Sequence, residues 1–284
     1  MVVLQMLLNG VTFGALLFLV ASGFTLVFGL MRISNLAHGG FYLVGAYVAV
    51  SAVAVTQNFW LGLLVGAIAS AVVGLVVERG LLRQVRGQEM PEVLVTIGVS
   101  FIIADLMLAI FGGNPKSIGL GGAPSGAVVV GEFGYPTYRL FIIAVTIVIG
   151  VGIFVLQRYT RIGAIVRAGV DDREMTAAVG INIDRVFTGA FVFGSALAGL
   201  AGAIGSGLLS ITPSSGMDIL LYAMVVVIIG GMGSIPGAAV GALLIGIIDS
   251  FAKAWFPEFS YFTVFAPMAL VLVFRPQGLM GRIA

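Results

Sequence analysis

The chain runs apolar for the length of a bilayer crossing, breaks at charged or Gly/Pro residues, and repeats this along its 284 residues. A helix needs about 20 apolar residues to span the hydrocarbon. Nine such runs can be read, at about 3–31, 38–56, 59–77, 91–111, 139–156, 186–209, 217–231, 236–254 and 261–274. Only 9% of the residues are charged, against about a quarter in a soluble domain, so water is not the main solvent. The pattern predicts an all-α, polytopic transmembrane helix bundle of about nine spans, eight to ten, as one domain over residues 1–284. The seventh and ninth runs are short, and the break at 34–40 suits a re-entrant segment. The first run lacks a basic leader and a clear small-residue cleavage site, so it reads as a retained helix rather than a signal peptide.

Basic residues set the orientation. Alternating sides gathers Arg32, Arg79, Arg83, Arg86, Arg158, Arg161, Arg167, Arg173, Arg185, Arg275 and Arg282 at one end, leaving Lys116, Arg139 and Lys253 opposite. The arginine-rich end is then cytoplasmic, the N-terminus outside and the C-terminus inside. The stretch 112–138 is the longest exterior one; it reads either as a cap or partner contact or as a simple surface loop. Small residues recur every fourth position at Ala190, Gly194, Ala198, Gly202 and Ser206, and again at Ala238, Ala242, Gly246 and Ser250. Such stripes let helix backbones approach closely where apolar burial alone supplies little attraction.

The polar stretch from Arg161 to Arg185 stands out in a chain otherwise short of loops. Asp171 followed by Glu174 has the spacing of a helix cap with an acid in the first turn. Met175, Ala178 and Val179 make an apolar patch, and Gly180 supplies a stop. A helix of about two turns is expected there, too short to stand alone. It either packs on its own bundle or inserts into a groove on a cytoplasmic partner.

The stretch Arg167–Asn182, RAGVDDREMTAAVGIN, resembles the coupling segment of permeases of the branched-chain amino acid ABC importer family (the LivH type). The same family is echoed by ISNLAHGGFYLVGAY at 33–47, VTIGVS at 95–100 and GGMGSIPGAAVGALLIGIIDS at 230–250. The resemblance implies a vitamin B12-importer-like (type II) ABC permease in the inner membrane of a bacterium, with residues 161–185 as its coupling loop. It implies two cytoplasmic ATPase subunits that bind the ATP, a second and related permease, and an extracytoplasmic solute-binding protein. Arg167, Asp171, Asp172, Glu174, Ala178, Gly180 and Asn182 are then the coupling residues. Permeases for urea and for ribose-like sugars share parts of the pattern, so the solute stays open.

Few residues offer chemistry of their own. Cysteine is absent and His38 is the only histidine, which argues against metal, thiolate or nucleophile–base sites. Gly230-Gly231-Met232-Gly233 lacks the Lys-Ser/Thr of a phosphate loop, and the small net charge gives no reason to expect nucleic acid. His38, beside Asn35 at a helix break, either donates to a backbone carbonyl or belongs to a gate or pathway. Asp105 lies inside the fourth run, where an acid is either paired or faces a polar cavity. Asp249 and Lys253 share a helix face and are expected to pair; Asp218 reads as an interfacial helix start. An ATP-driven permease subunit, with no cofactor of its own, fits best. A stand-alone secondary transporter or channel and an intramembrane enzyme are the competing readings, and the last has no catalytic constellation.

Overall fold

A computed structural model of the protein describes residues 2–31, 35–119, 121–131, 133–171 and 173–281, with the backbone alone at 30, 31, 130, 170, 171, 173, 174, 260 and 261. Among the described residues eleven α-helices and one three-residue turn, α4, follow one another. They are α1 (Val2–Met31), α2 (His38–Thr56), α3 (Phe59–Val77), α4 (Arg83–Val85), α5 (Glu89–Phe111), α6 (Thr137–Tyr159), α7 (Arg161–Asp171), α8 (Arg173–Ala178), α9 (Ile183–Gly205), α10 (Ser215–Gly230), α11 (Ile235–Trp255) and α12 (Ser260–Phe274). A π-helical turn, Glu78–Leu82, joins α3 to α4, so Phe59–Val85 crosses as one helix.

Among the described residues seven helices are long and apolar enough to span a membrane, and α10 and Phe262–Phe274 are shorter apolar ones. The chain is a polytopic helical membrane protein. The nine apolar runs of the sequence fall on these seven helices and the two shorter ones. The expected all-α class needs one correction. In the stretch 112–138, β1 (Ala127–Val130) pairs antiparallel with β2 (Phe133–Pro136). Backbone groups outside a helix still need partners, and a hairpin supplies them.

Helix starts follow local chemistry. Asn58 accepts from Leu61 N at 3.1 Å to cap α3, and Ser234 accepts from Gly237 N at 3.1 Å to cap α11 just before Pro236. Both small-residue stripes are packing seams. Gly194 meets Gly23 of α1, Gly202 meets Tyr42 of α2, and Gly246 meets Gly10 and Gly14 of α1, all at backbone distance. Ser250 donates to Met6 O at 2.8 Å. The core therefore lies around α1, α2, α9 and α10, whereas α5 and α6 show most of their surface outward.

The start of α2 is unusual. His38 Nε2 sits 3.0 Å from Val20 O, eleven residues before α1 ends at Met31. At 1.5 Å per residue, α2 thus begins roughly 16 Å short of the end of α1, inside the bundle. Asn35 and His38 are both buried there, as a re-entrant segment requires.

Candidate functional site: a short exposed helix and a buried ion cluster

Two features organise this end of the bundle, a short exposed helix and a buried ion cluster. The helix is α8. It closes where Val179 N bonds Met175 O at 3.2 Å and Gly180 N bonds Ala177 O at 2.9 Å. Gly180 then takes φ +86°, a left-handed conformation that glycine adopts without Cβ strain. The expected stop is in place. Met175, Ala178 and Val179 are exposed, Met175 at 64% and Val179 at 70%, while Thr176 is buried. An apolar patch on a six-residue helix is thus presented outward rather than folded under.

The segment departs from expectation before α8. Residues 161–171 form a helix, α7, and not a loop. Thr160 Oγ1 accepts from Gly163 N at 3.2 Å at its start, and Ile165 and Val166 turn partly inward. Gly163 is required because a Cβ there would overlap the last carbonyls of α6, at Leu156 and Gln157. The Arg167 guanidinium donates to Gln157 O, serving the C-terminus of α6. Asn182 caps α9 by accepting from Arg185 N at 3.1 Å. Asp172 lies outside the described residues, as do the side chains of Asp171 and Glu174.

At the start of α9, the helix that follows α8, lies a cluster that sequence reasoning missed. Glu78, fully buried, is ion-paired with Arg86, whose Nη1 reaches Asp184 Oδ1 at 2.7 Å. Arg83 Nη2 lies 3.5 Å from Asp184 Oδ2. Thr188 Oγ1 donates to Glu78 Oε2 at 2.8 Å, and the Arg86 guanidinium stacks 5.4 Å over the Phe187 ring. The nearby turn is held by Glu92, whose Oε1 accepts from Gly87 N at 2.7 Å. The only sequence signal was a lone acid followed by Arg79, Arg83 and Arg86. Its partner on α9, 98 positions from Arg86, carried none.

The remaining candidates separate. Since a carbonyl only accepts, His38 Nε2 donates to Val20 O, and the ring stands edge-on to Phe24. This matches the backbone-carbonyl alternative. Asn35 Oδ1 accepts from Ala37 N at 3.1 Å, while Asn35 Nδ2 and His38 Nδ1 are buried without partners among the described residues. Asp105 is exposed on α5 and does not meet Asn35 or His38 in any described contact. Asp249 pairs with Lys253 at 2.7 Å, as the spacing foretold, and accepts from Tyr222 Oη at 3.1 Å. Between α1, α6 and α11 lies an open apolar groove of about 490 Å³, floored by Phe18 and Gly150.

Residues 6–273 match the family described as "Branched-chain amino acid transport system / permease component". The chain belongs to that family. This permease is 32% identical to the high-affinity branched-chain amino acid transport system permease protein LivH of Escherichia coli K12, over 98% of the chain and 96% of the relative. It is 31% identical to BraD of Pseudomonas aeruginosa, again over 98% and 96%. A second Escherichia coli K12 permease protein of the same system, LivM, is 27% identical over 91% of this permease and 66% of its own length.

Proposed function

We propose that this chain is one of two permease subunits of an ATP-driven importer for branched-chain or chemically related amino acids. The observation that carries the reading is α8: an exposed apolar stub, stopped by Gly180, on a permease with no nucleotide-binding motif. A helix this short is not stable alone, and docking in a groove of an ATPase subunit both covers Met175, Ala178 and Val179 and gives hydrolysis a handle on the bundle. Two ATPase subunits sit at the arginine-rich, cytoplasmic end, and a solute-binding protein meets the opposite face. The architecture is of the vitamin B12-importer (type II) kind, in the inner membrane of a bacterium. That one organism holds both a LivH and a LivM relative supports a related rather than identical second permease.

Solute passage runs between the two permeases. Asp105 supports this: a carboxylate on the outward face of a span is disfavoured in lipid but accommodated beside a water-filled path. An apolar, sparsely charged lining suits an aliphatic zwitterion.

The test is uptake by the complete complex in proteoliposomes. Ala178→Glu is expected to abolish both ATPase association and leucine uptake while the chain still inserts. Asp105→Leu is expected to leave association intact and to lower uptake. Uptake of leucine by the permease alone, or with Ala178→Glu unimpaired, would refute the reading. Urea competing where leucine does not would move the solute class instead.

A further inference from the structure

We propose that Glu78, Arg86 and Asp184 form the joint that carries movement of α8 into α3 and α5, an inference that rests on the coupling role given to α8. The connection is short and continuous. Only residues 179–182 separate α8 from α9, and Asp184 lies in the first turn of α9. Its carboxylate holds Arg86 at 2.7 Å and Arg83 at 3.5 Å, so the start of α9 is fastened to the end of the α3–α4 helix. Arg86 is also ion-paired with the fully buried Glu78 inside the π-helical turn. The next residue, Gly87, donates to Glu92 in the first turn of α5 at 2.7 Å.

The chemistry favours a rigid joint. A buried carboxylate is tolerated only where charge and hydrogen bonds compensate it, and Glu78 has both, from Arg86 and Thr188. Breaking the set strands a charge, so the three elements move together rather than slide. The π-helical turn is where α3 departs from regular α geometry, a feature often found at working sites. An apolar seam at the same place permits small sliding shifts; a set of directional bonds does not. Force entering at α8 therefore reaches α5, the helix that carries Asp105.

Because the chain has no cysteine, the joint can be opened and re-closed in one protein. Arg83→Cys with Asp184→Cys, both positions partly exposed, is placed in the full complex with cysteine-free ATPases. Without crosslinking, ATP hydrolysed per leucine imported is expected to rise at least about two-fold, the lower edge for a change along a coupling path. A short, reducible bis-thiol crosslinker is expected to bring the ratio back towards wild type, and reductant to undo it. A merely structural role predicts poorer folded yield at an unchanged ratio, and that result overturns the joint. So does crosslinking that halts transport, since the joint must then open during the cycle. Ala178→Glu is run alongside. If it abolishes coupling while the cysteine pair behaves as wild type, only the joint fails; if it has no effect, the α8 reading falls and the joint with it.

Discussion

A Cβ on Gly45 would overlap the backbone of Gly199, and a Cβ on Gly199 would overlap Ser70. Ser70 completes the seam, with its hydroxyl 2.9 Å from Phe41 O and 2.8 Å from Ser195 O. In lipid such contact replaces the hydrophobic drive that water supplies elsewhere. Gly45→Val is expected to destabilise the bundle by about 1–3 kcal/mol or more, as overpacking does, read as a lower melting temperature in detergent. Gly98, whose Cβ position faces open space, is the control: Gly98→Ala is expected to leave the melting temperature unlowered, or to raise it, since alanine is the better helix former by about 1 kcal/mol. The fourfold spacing of small residues was visible in the sequence, but not which glycines are seams and which are free. That depends on the neighbour across the contact, and periodicity does not name neighbours.

At the level of elements, the segment between α6 and α9 includes a residue that caps the helix after it. Asn182 falls within the family-like stretch Arg167–Asn182, yet its side chain is spent on Arg185 N at the start of α9. Asn182→Ala is expected to cost about 1 kcal/mol, the usual value of an N-cap, and to leave ATPase association largely intact. Ala178→Glu, one turn earlier on an exposed face, should do the reverse. Measuring melting temperature and ATPase pull-down on both separates the roles. The helix α7 falls in the stretch expected as loop because three charged residues and two glycines interrupt its 11 positions. Packing of Ile165 and Val166 on the bundle, and Gly163 fitting under the carbonyls of α6, outweigh that composition. His38 was legible in part: the break in the helix was visible, and a lone histidine in an apolar setting donates to whatever carbonyl is near. That the carbonyl belongs to Val20 was not.

For the whole molecule, the division of buried and outward helices is what an assembled transporter requires. The most apolar stretch of α1 is 78% buried within the chain, against 28% for α5 and 17% for α6, so the latter two meet lipid or another subunit. Opposite ends can be assigned by labelling. Arg79→Cys, exposed beside the buried Glu78, is expected to react only from the cytoplasmic side of intact cells. Ser125→Cys, exposed next to the hairpin, is expected to react only from outside. Arg79→Cys reacting from outside contradicts the orientation. Arg86 is unsuited to this purpose because its side chain is only 9% exposed within the ion cluster.

The order and approximate limits of the apolar helices, the crowding of arginines at one end, the glycine stop after α8 and the Asp249–Lys253 pair were all determined by sequence. Each depends on hydropathy or on spacing within one element, and hydrocarbon leaves the backbone little choice but helix. Tertiary structure alone decided the start of α2 inside the bundle, the hairpin of 127–136, the outward face of Asp105 and the Glu78–Arg86–Asp184 cluster. These rest on which segments lie side by side, and a pair such as Arg86 and Asp184, 98 positions apart, becomes a pair only once the helices between them have packed.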